Sequence, residues 1–483
     1  MNFHTQPLSD LAYQYTGCRC IQIESLPQSG SNRRYFRMTF ENHDTLIGVY
    51  NRDIRENEAF FHLTEVFTRH GIRVPSLLSI EKNRQYYLLN DLGNETLYSF
   101  LSQHRKEEHI ENECVDYYKK VLTALPQLQM TYHDIDFGFA YPRHTFDRQS
   151  MLWDLNYFKY YFLKLTNIAF DEQLLENDFQ TLIAFLSEAE QRYFLFRDFQ
   201  SRNIMLYHHE VFFIDYQGGR QGALQYDLAS LLYDGKADIP PAIRDELLEF
   251  YLDMLSKTVV VNRADFLKYY HHFVLIRILQ AMGTYGFRGY YERKSHFLLS
   301  IPYAVRNIRY LLEHNLLSID IPELKRVLME IVDSTELPAF TSEQQGLTVT
   351  VNSFSYSKGI PHDLSVNGGG FVFDCRALPN PGREQQYREL NGTDRSVIQY
   401  MELYPQTKEF KQHVYALIEA SVDNYTERNF THLMVNFGCT GGQHRSVYFA
   451  ECMAQHLRVK YTEIRVIVRH TNLNLSTTVQ SIL

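Results

Sequence analysis

From residue 21 the chain alternates apolar and polar positions, breaks and resumes. Ile21 to Leu26 alternates, Pro27 to Arg34 is rich in turn-forming residues, and Tyr35 to Phe40 and Thr45 to Tyr50 alternate again. That pattern predicts strand, turn and strand. Glu56 to Gly71 then has helical spacing with a glycine stop, and Tyr86 to Gly93 reads as a short buried strand running into a turn. From about 96 to 190 the spacing is mostly helical, as in Val115–Leu128 and Asp178–Tyr193. A strand-rich insert at 194–217 interrupts it, and long helices follow over roughly 225–333. Residues 336–346 are polar, carry a proline and a glycine, and have no period, which makes them a linker. Beyond them strands at 347–356, 369–378, 432–439 and 463–470 alternate with helices near 408–427 and 444–458. This is the pattern of an α/β module. Residues 476–483 read as a frayed end.

Composition narrows the function classes. A length of 483 suits two to four domains, and 45% hydrophobic with 22% charged residues excludes a mainly disordered chain. The net charge of −9 makes a general nucleic-acid coater a poor fit, because phosphate binding needs a basic surface. The 35 Tyr and 33 Phe, against 1 Trp, read as core filler. Six cysteines are too few for a disulfide scaffold, and Cys18 and Cys20 read as free thiols. The first residues lack the pattern of a signal peptide, and no apolar run is long enough to span a bilayer. The expectation is a soluble, reduced, cytoplasmic protein.

Asp198, Asn203 and Asp215 stand out as polar residues among apolar runs, in FRDFQSRNIML and VFFIDYQ. Asn203 and Asp215 offer hard oxygen ligands for Mg²⁺, and Asp198 can take the proton of an attacking hydroxyl. Asp-x₄-Asn followed by a strand-borne Asp is the arrangement of a kinase catalytic loop. A turn capped by Asp and Asn is the bland alternative. The motif Arg197–Met205, continued by Ile214–Gln217 and Gln225–Leu232, resembles the aminoglycoside-phosphotransferase-like kinases. Within them it is most similar to the branch that phosphorylates N-acetylmuramate and N-acetylglucosamine at the anomeric position.

This resemblance covers roughly residues 10–330. It implies an α+β bilobal, protein-kinase-like fold using ATP and Mg, with Asp198 as base, Asn203 and Asp215 as metal ligands, and Asp227 bracing the catalytic loop. An N-cap role for Asp227 is compatible with the same reading. Ser29, Gly30, Ser31, Asn32 and Arg34 form the expected nucleotide-covering turn, and Asn90 and Asp91 the inter-lobe hinge. Val49, Tyr50 and Asn51 stand where the kinase lysine is expected, so Arg34 or Arg37 is the candidate replacement. An inactive nucleotide-binding kinase is the competing explanation. Asp154, on the helix that includes Trp153 and Lys159, and Arg220, beside Gln221, are candidate acceptor-binding residues; a solvated helix face explains Asp154 and Lys159 equally well.

A second constellation lies in HLMVNFGCTGGQHRSVYFAECMAQHL. Cys439, Thr440, Gly441, Gly442, Gln443, His444, Arg445 and Ser446 form a glycine-rich turn between strand and helix. Backbone N–H groups, the helix start and the arginine fork together suit a phosphate-sized anion. Lys358 and Arg376, at the ends of earlier strands, are expected to converge on it. The spacing is also that of cysteine-dependent phosphatases, although Gly438 stands where many have His. With Ser353–Pro361 and Phe373–Pro381 it resembles the C-terminal domain of RapZ, the RNase adapter, over about 347–472. That implies binding of an amino-sugar phosphate, and of RNA and partner proteins. The chain ends in STTVQSIL rather than a basic tail, which weighs against RNA.

The expected organisation is therefore a kinase domain at 1–335, with a small lobe to about 92 and a large lobe to 335. The linker 336–346 follows, then a smaller α/β domain at 347–483. The expected function is phosphorylation of a sugar hydroxyl, with a sugar-phosphate sensor at the C-terminal end. A non-catalytic metabolite-sensing adapter is the alternative from another class.

Overall fold

The computed structural model of the protein describes residues 4–27, 33–106, 109–166, 168–292, 294–334, 337, 346–361, 370–473 and 475–479. Two compact units emerge, Met1–Thr284 with Tyr303–Thr335, and Tyr285–Pro302 with Glu336–Leu483.

The first unit begins with α1 (Thr5–Thr16), which the apolar spacing did not announce. Five strands follow: β1 (Cys20–Ser25), β2 (Arg34–Phe40), β3 (Thr45–Tyr50), β4 (Leu77–Ile80) and β5 (Tyr86–Asn90). They pair antiparallel in the order β1-β2-β3-β5-β4. Alternation decides which face is buried: Phe36, Met38 and Phe40 of β2 meet Leu8, Leu11 and Ala12 of α1. Between β3 and β4 lies α2 (Ile54–Arg69), started by the Asp53 carboxylate, which accepts the N–H groups of Arg55 and Glu56.

Helices then dominate: α3 (Leu97–Gln103), α4 (Asn112–Met130), α5 (Arg148–Phe158) and α6 (Glu172–Leu186), with a two-strand ribbon of β6 (Arg105–Lys106) and β7 (His109–Ile110). Residues 114, 115, 118, 121, 122, 125 and 128 of α4 are buried, the stripe expected of a period near 3.6. The insert supplies β8 (Tyr193–Leu195), β9 (Ile204–Tyr207), β10 (Glu210–Phe213) and β11 (Arg220–Gly222), paired as β9 with β10 and β8 with β11. Beyond it run α7 (Leu224–Leu232), α8 (Pro241–Ser256), α9 (Arg263–Tyr285), α10 (Ile301–Glu313) and α11 (Pro322–Asp333). The aromatic residues fill the interior as expected, and a buried hydroxyl finds a partner where Tyr251 donates to Gln129.

The second unit holds β12 (Thr348–Ser355), β13 (Gly370–Asp374), α12 (Arg395–Glu402), α13 (Pro405–Glu427), β14 (His432–Cys439), α14 (Arg445–Lys460), β15 (Arg465–His470) and β16 (Leu475–Val479). The sheet order is β13-β14-β12-β15-β16, parallel except for the last strand. Val349, Val351, Val435, Phe437, Val466 and Val468 form its buried centre with Ile418 and Met453 of the helices. The segment expected to fray is partly a strand: β16 pairs with β15 from Leu475 to Val479, satisfying an edge that would otherwise be open. No helix among the described residues is long and apolar enough to cross a membrane.

Candidate functional site

In the first unit the chain leaves β8, turns through residues 196–203 and re-enters a strand at β9. Two devices hold that turn. The Asp227 carboxylate, fully buried on α7, accepts the N–H of Phe196 at 2.7 Å and of Arg197 at 3.1 Å. Helix α7 starts at Leu224 with Ala223 before it, so Asp227 lies within the helix and does not cap it. Arg197 itself has a φ of 85°, a strained conformation that costs about 1–3 kcal/mol and persists only under outside restraint. Its guanidinium supplies the second restraint. It grips both oxygens of Asp154 at 2.6 and 2.8 Å, donates to the Tyr226 hydroxyl, and lies over the Phe146 ring. Asp154 is therefore not on a solvated face, and both of its oxygens are taken by Arg197; it anchors the turn. Lys159 is likewise buried, held by Glu172 and Glu176.

The three chemistry-bearing residues come together at this turn. The Asn203 side-chain amide donates to the Asp198 main-chain carbonyl at 2.8 Å, which leaves its own oxygen available. The Ile214 N–H donates to the Asn203 carbonyl at 3.0 Å, so Asp215 emerges beside Asn203. Asp215 is exposed, with a φ of 68° that points the chain sharply away from the strand. One of its oxygens accepts from Gln217. Tyr216 turns inward, stacking on Phe60 and bonding Thr64 of α2. One amide oxygen and one carboxylate form a hard donor set that fits Mg²⁺.

Asp198 keeps 47% of its side chain exposed, with Arg277 of α9 at 3.7 Å. Burial pushes its carboxyl upward, but Arg277, Arg197, Arg202 and Arg220 outweigh that and hold it below the usual carboxylate range. The carboxylate is ionised and partly exposed. Arg220 is buried, and among the described residues its side chain donates to the Gly218 carbonyl alone.

The expected nucleotide residues separate. Ser29, Gly30, Ser31 and Asn32 lie outside the described residues. Arg34 is exposed, opposite Tyr50 in the sheet. Arg37 grips Asp91 at 2.6 and 3.0 Å and the Gly93 carbonyl at 3.0 Å, so neither its charge nor the Asp91 carboxylate is open to a ligand. Asn90 accepts from the Ser76 N–H. A buried cation paired with α2 is Arg33, 2% exposed, at 3.3 Å from Glu56; the other, Arg84 with Glu58, is partly exposed. A lysine–glutamate pair of this kind is what the kinase arrangement requires. The doublet Arg33-Arg34 gave the signal, but a strand's alternation, counted one residue off, favours the outward member.

In the second unit the glycine-rich turn sits at the carboxyl ends of β12 and β14, where open α/β sheets place their ligands. The Gly442 N–H and the Ser446 hydroxyl both lie 3.2 Å from Cys439 Sγ. Gly442 has a φ of 67°, and a Cβ there would meet Ser355 N at 2.9 Å. A cavity of about 250 Å³ opens at the turn, lined by Asn380, Gly382, Arg388, Cys439, Thr440, Gly441, Gln443, His444 and Arg445. Arg445, 5% exposed, donates to the carbonyls of Arg376 and Leu378, and its Nε has no partner among the described residues. Lys358 and Arg376 do not line this cavity. The Arg376 side chain turns back onto Asp374 and covers the Tyr356 ring at 4.0 Å. Arg388, from a loop that hydrophobic periodicity could not place, and Asn380 stand there instead.

Residues 22–259 match the phosphotransferase enzyme family, and residues 347–474 match the RapZ C-terminal domain. The chain joins a phosphotransferase domain to a RapZ C-terminal domain. It is similar to a nucleotide-binding protein of Hahella chejuensis, 32% identical over 146 residues, covering 30% of this chain and 49% of that protein. It is similar also to one from Nitrosomonas eutropha, 42% identical over 127 residues, covering 26% and 41%. The chain thus spans about half, or less, of the length of these relatives. Among solved structures it is similar to a choline kinase of Cryptosporidium parvum, with 12% identity, a TM-score of 0.42 and coverage of 64% and 93%. A macrolide phosphotransferase of Brachybacterium faecium is similar at 14% identity, a TM-score of 0.41 and coverage of 60% and 95%. The phosphotransferase domain has the kinase-like fold, an antiparallel sheet followed by helices, and the RapZ-type domain is the parallel-sheet α/β unit.

Proposed function

We propose that the chain is an ATP-dependent, Mg²⁺-requiring kinase of a sugar hydroxyl. The proposed acceptor position is the anomeric hydroxyl of an amino sugar such as N-acetylmuramate or N-acetylglucosamine. The RapZ-type domain binds an amino-sugar phosphate, and the protein acts in the cytoplasm. The observation that carries this reading is the pair of bonds from Asn203 to the Asp198 carbonyl and from Ile214 to the Asn203 carbonyl. They lock the base and both metal-type ligands into one turn. Asp198, kept ionised by its arginines, orients the acceptor hydroxyl and takes its proton. Asn203 Oδ1 and Asp215 would hold the metal. When bound, Mg·ATP supplies the phosphoryl group and neutralises its charge. Arg33, fixed by Glu56, is the candidate for the missing lysine's role. Incubation with radiolabelled ATP and amino sugars tests the reading: label should appear in the sugar, and its absence with every amino sugar would remove it.

One observation favours a second activity in the RapZ-type domain. Arg445 follows Cys439 at the phosphatase spacing, and both a backbone N–H and a hydroxyl are within reach of the sulfur. A Cβ at Gly438 would strike Phe354 at 2.4 Å, so the histidine common at that position has no room. Hydrolysis of a chromogenic phosphomonoester, lost in Cys439→Ser, would establish this activity; no hydrolysis by wild type leaves a binding loop.

A further inference from the structure

We infer that Arg220 holds an anionic group, a carboxylate or a phosphate, on the acceptor sugar. The inference rests on Asp198 being the base of a phosphoryl-transfer site, and it adds the charge class of the substrate. Four guanidinium groups act on the turn that carries Asp198; Arg202 is exposed to solvent, and of the three that are not, two are answered by carboxylates. Arg197 has Asp154 in a two-point grip, and Arg277 has Asp198 at 3.7 Å. Arg220 has neither. It is 8% exposed, and its Nε and Nη2 both donate to a single neutral oxygen, the Gly218 carbonyl, at 3.0 and 2.9 Å. Among the described residues no carboxylate comes within ion-pairing distance of it. Asp227, the remaining acid behind the turn, is occupied by two backbone N–H groups.

A buried cation without a counter-charge is expensive, and a chain retains one where a ligand supplies the missing charge. Burial, and then the neighbouring Arg197, pull the Arg220 guanidinium down to about 10, the direction expected of an unanswered charge. Position selects the acceptor over the nucleotide as the source. Arg220 lies opposite Leu195 where β11 pairs with β8, at the root of the turn carrying Asp198. The carboxylates whose charge it feels are Asp154 and Asp198. A hydroxyl delivered to Asp198 therefore brings the rest of its sugar toward Arg220. The planar fork of an arginine matches a carboxylate or phosphate in two-point contact.

The test uses the full chain with Mg²⁺ and a non-hydrolysable ATP analogue. Calorimetric titration compares N-acetylmuramate with its methyl ester, glucuronate with glucose, and glucosamine-6-phosphate with glucosamine. The phosphate pair is repeated in Arg445→Ala to remove any contribution of the RapZ-type loop. At least one acid should bind about tenfold or more tighter than its neutral counterpart. Arg220→Gln should erase that preference and leave affinity for the ATP analogue within about twofold, and Arg220→Lys should keep part of it. Removal of the unanswered charge should also raise Tm, the reverse of what loss of a structural contact does. Equal binding of every acid and its neutral counterpart would overturn the inference, as would a loss in Arg220→Gln confined to the ATP analogue. Phosphorylation of a neutral sugar without acid preference would leave the kinase reading standing and remove only the anion. Arg220-dependent acid binding without transfer to any sugar would do the opposite.

Discussion

In the proposed reading the kinase turn and the RapZ-type loop both face negatively charged oxygens, and they use different material. Around Asp198 the work falls to side chains: an arginine held by a buried acid, an amide fixed by a carbonyl, and a strained backbone restrained from behind. Around Cys439 it falls to the backbone, with glycines that let N–H groups turn inward and a helix beginning at Arg445. Side-chain charges can be removed one at a time and respond to pH. Of the substitutions only proline deletes a backbone donor, so side-chain truncations in a loop of that kind act in smaller steps.

The largest effect should therefore come from the kinase turn. Asp198→Ala removes the proton acceptor, and kcat should fall by about 10²–10⁴-fold. Affinity for Mg·ATP should stay within about twofold, because the proposed ligands Asn203 and Asp215 remain; the Asn203 amide bonds the main chain of residue 198, which the substitution keeps. A rate-and-binding measurement on the same preparation separates the two. An unaffected kcat would take away the assigned base and erase the contrast between the regions.

Asp227 tests the same turn from behind. Burial raises its carboxyl to about 7, against the pull of the Phe196 and Arg197 N–H bonds. The folded protein therefore keeps a proton that the unfolded chain has released above about pH 4. The stability this proton contributes is complete below the unfolded value and is lost as pH rises toward 7. Asp227→Asn fixes the neutral form, so the fall in urea stability across that window should flatten. The amide can serve only one of the two N–H groups in the present geometry, which should cost about 1–3 kcal/mol in the acid part of the window. The kinase rate should fall as well, since Arg197 is released from one restraint. Parallel urea titrations of wild type and variant from pH 5 to 8 check both the slope and the offset; identical slopes would mean Asp227 is ionised throughout.

How far the chain's order of residues revealed these sites depends on what each residue was doing. Asp198, Asn203 and Asp215 were legible because polar residues between buried strands have few structural uses, and the fold brings all three to one turn. Four strands and two helices of the RapZ-type domain were legible from their period, whereas α12 and β16 were not, and Cys439 to Ser446 were legible from the glycines. Helix α1 was hidden because its buried stripe is only Leu8, Leu11 and Ala12. Arg33 was passed over for Arg34 and Arg37 because the choice among close neighbours depends on strand register, which alternation fixes only to within one residue. Asp154 read as an acceptor contact because its partner, Arg197, is distant in sequence. Arg388 was missed because it comes from irregular chain with no period to place it.

In the RapZ-type loop the expected step is smaller than at Asp198. Arg445→Ala removes a buried fork from the cavity wall and also releases the carbonyls of Arg376 and Leu378. Affinity for glucosamine-6-phosphate should drop about ten- to hundredfold, the equivalent of one charge-assisted contact. Tm should drop with it, because the two carbonyls lose their donor. An affinity unchanged by calorimetry would place the anion elsewhere.

The smallest effects set Arg388 against Arg376, and they decide whether the cavity or the strand-end pattern describes the anion's surroundings. Arg388 lines the cavity and is exposed, so its charge acts through solvent. Arg388→Ala should weaken sugar-phosphate binding by about two- to fivefold, and added salt should shrink the difference. Arg376 contributes its carbonyl to Arg445 but sends its side chain to Asp374 and the Tyr356 ring. Arg376→Ala keeps that carbonyl, so affinity should match wild type at every salt concentration. A loss at Arg376 larger than the loss at Arg388 would mean that the arginine swings away from Asp374 to meet the ligand. The loop would then share the kinase turn's reliance on movable side-chain charge, and the distinction between the two regions would fail at the point where it is finest.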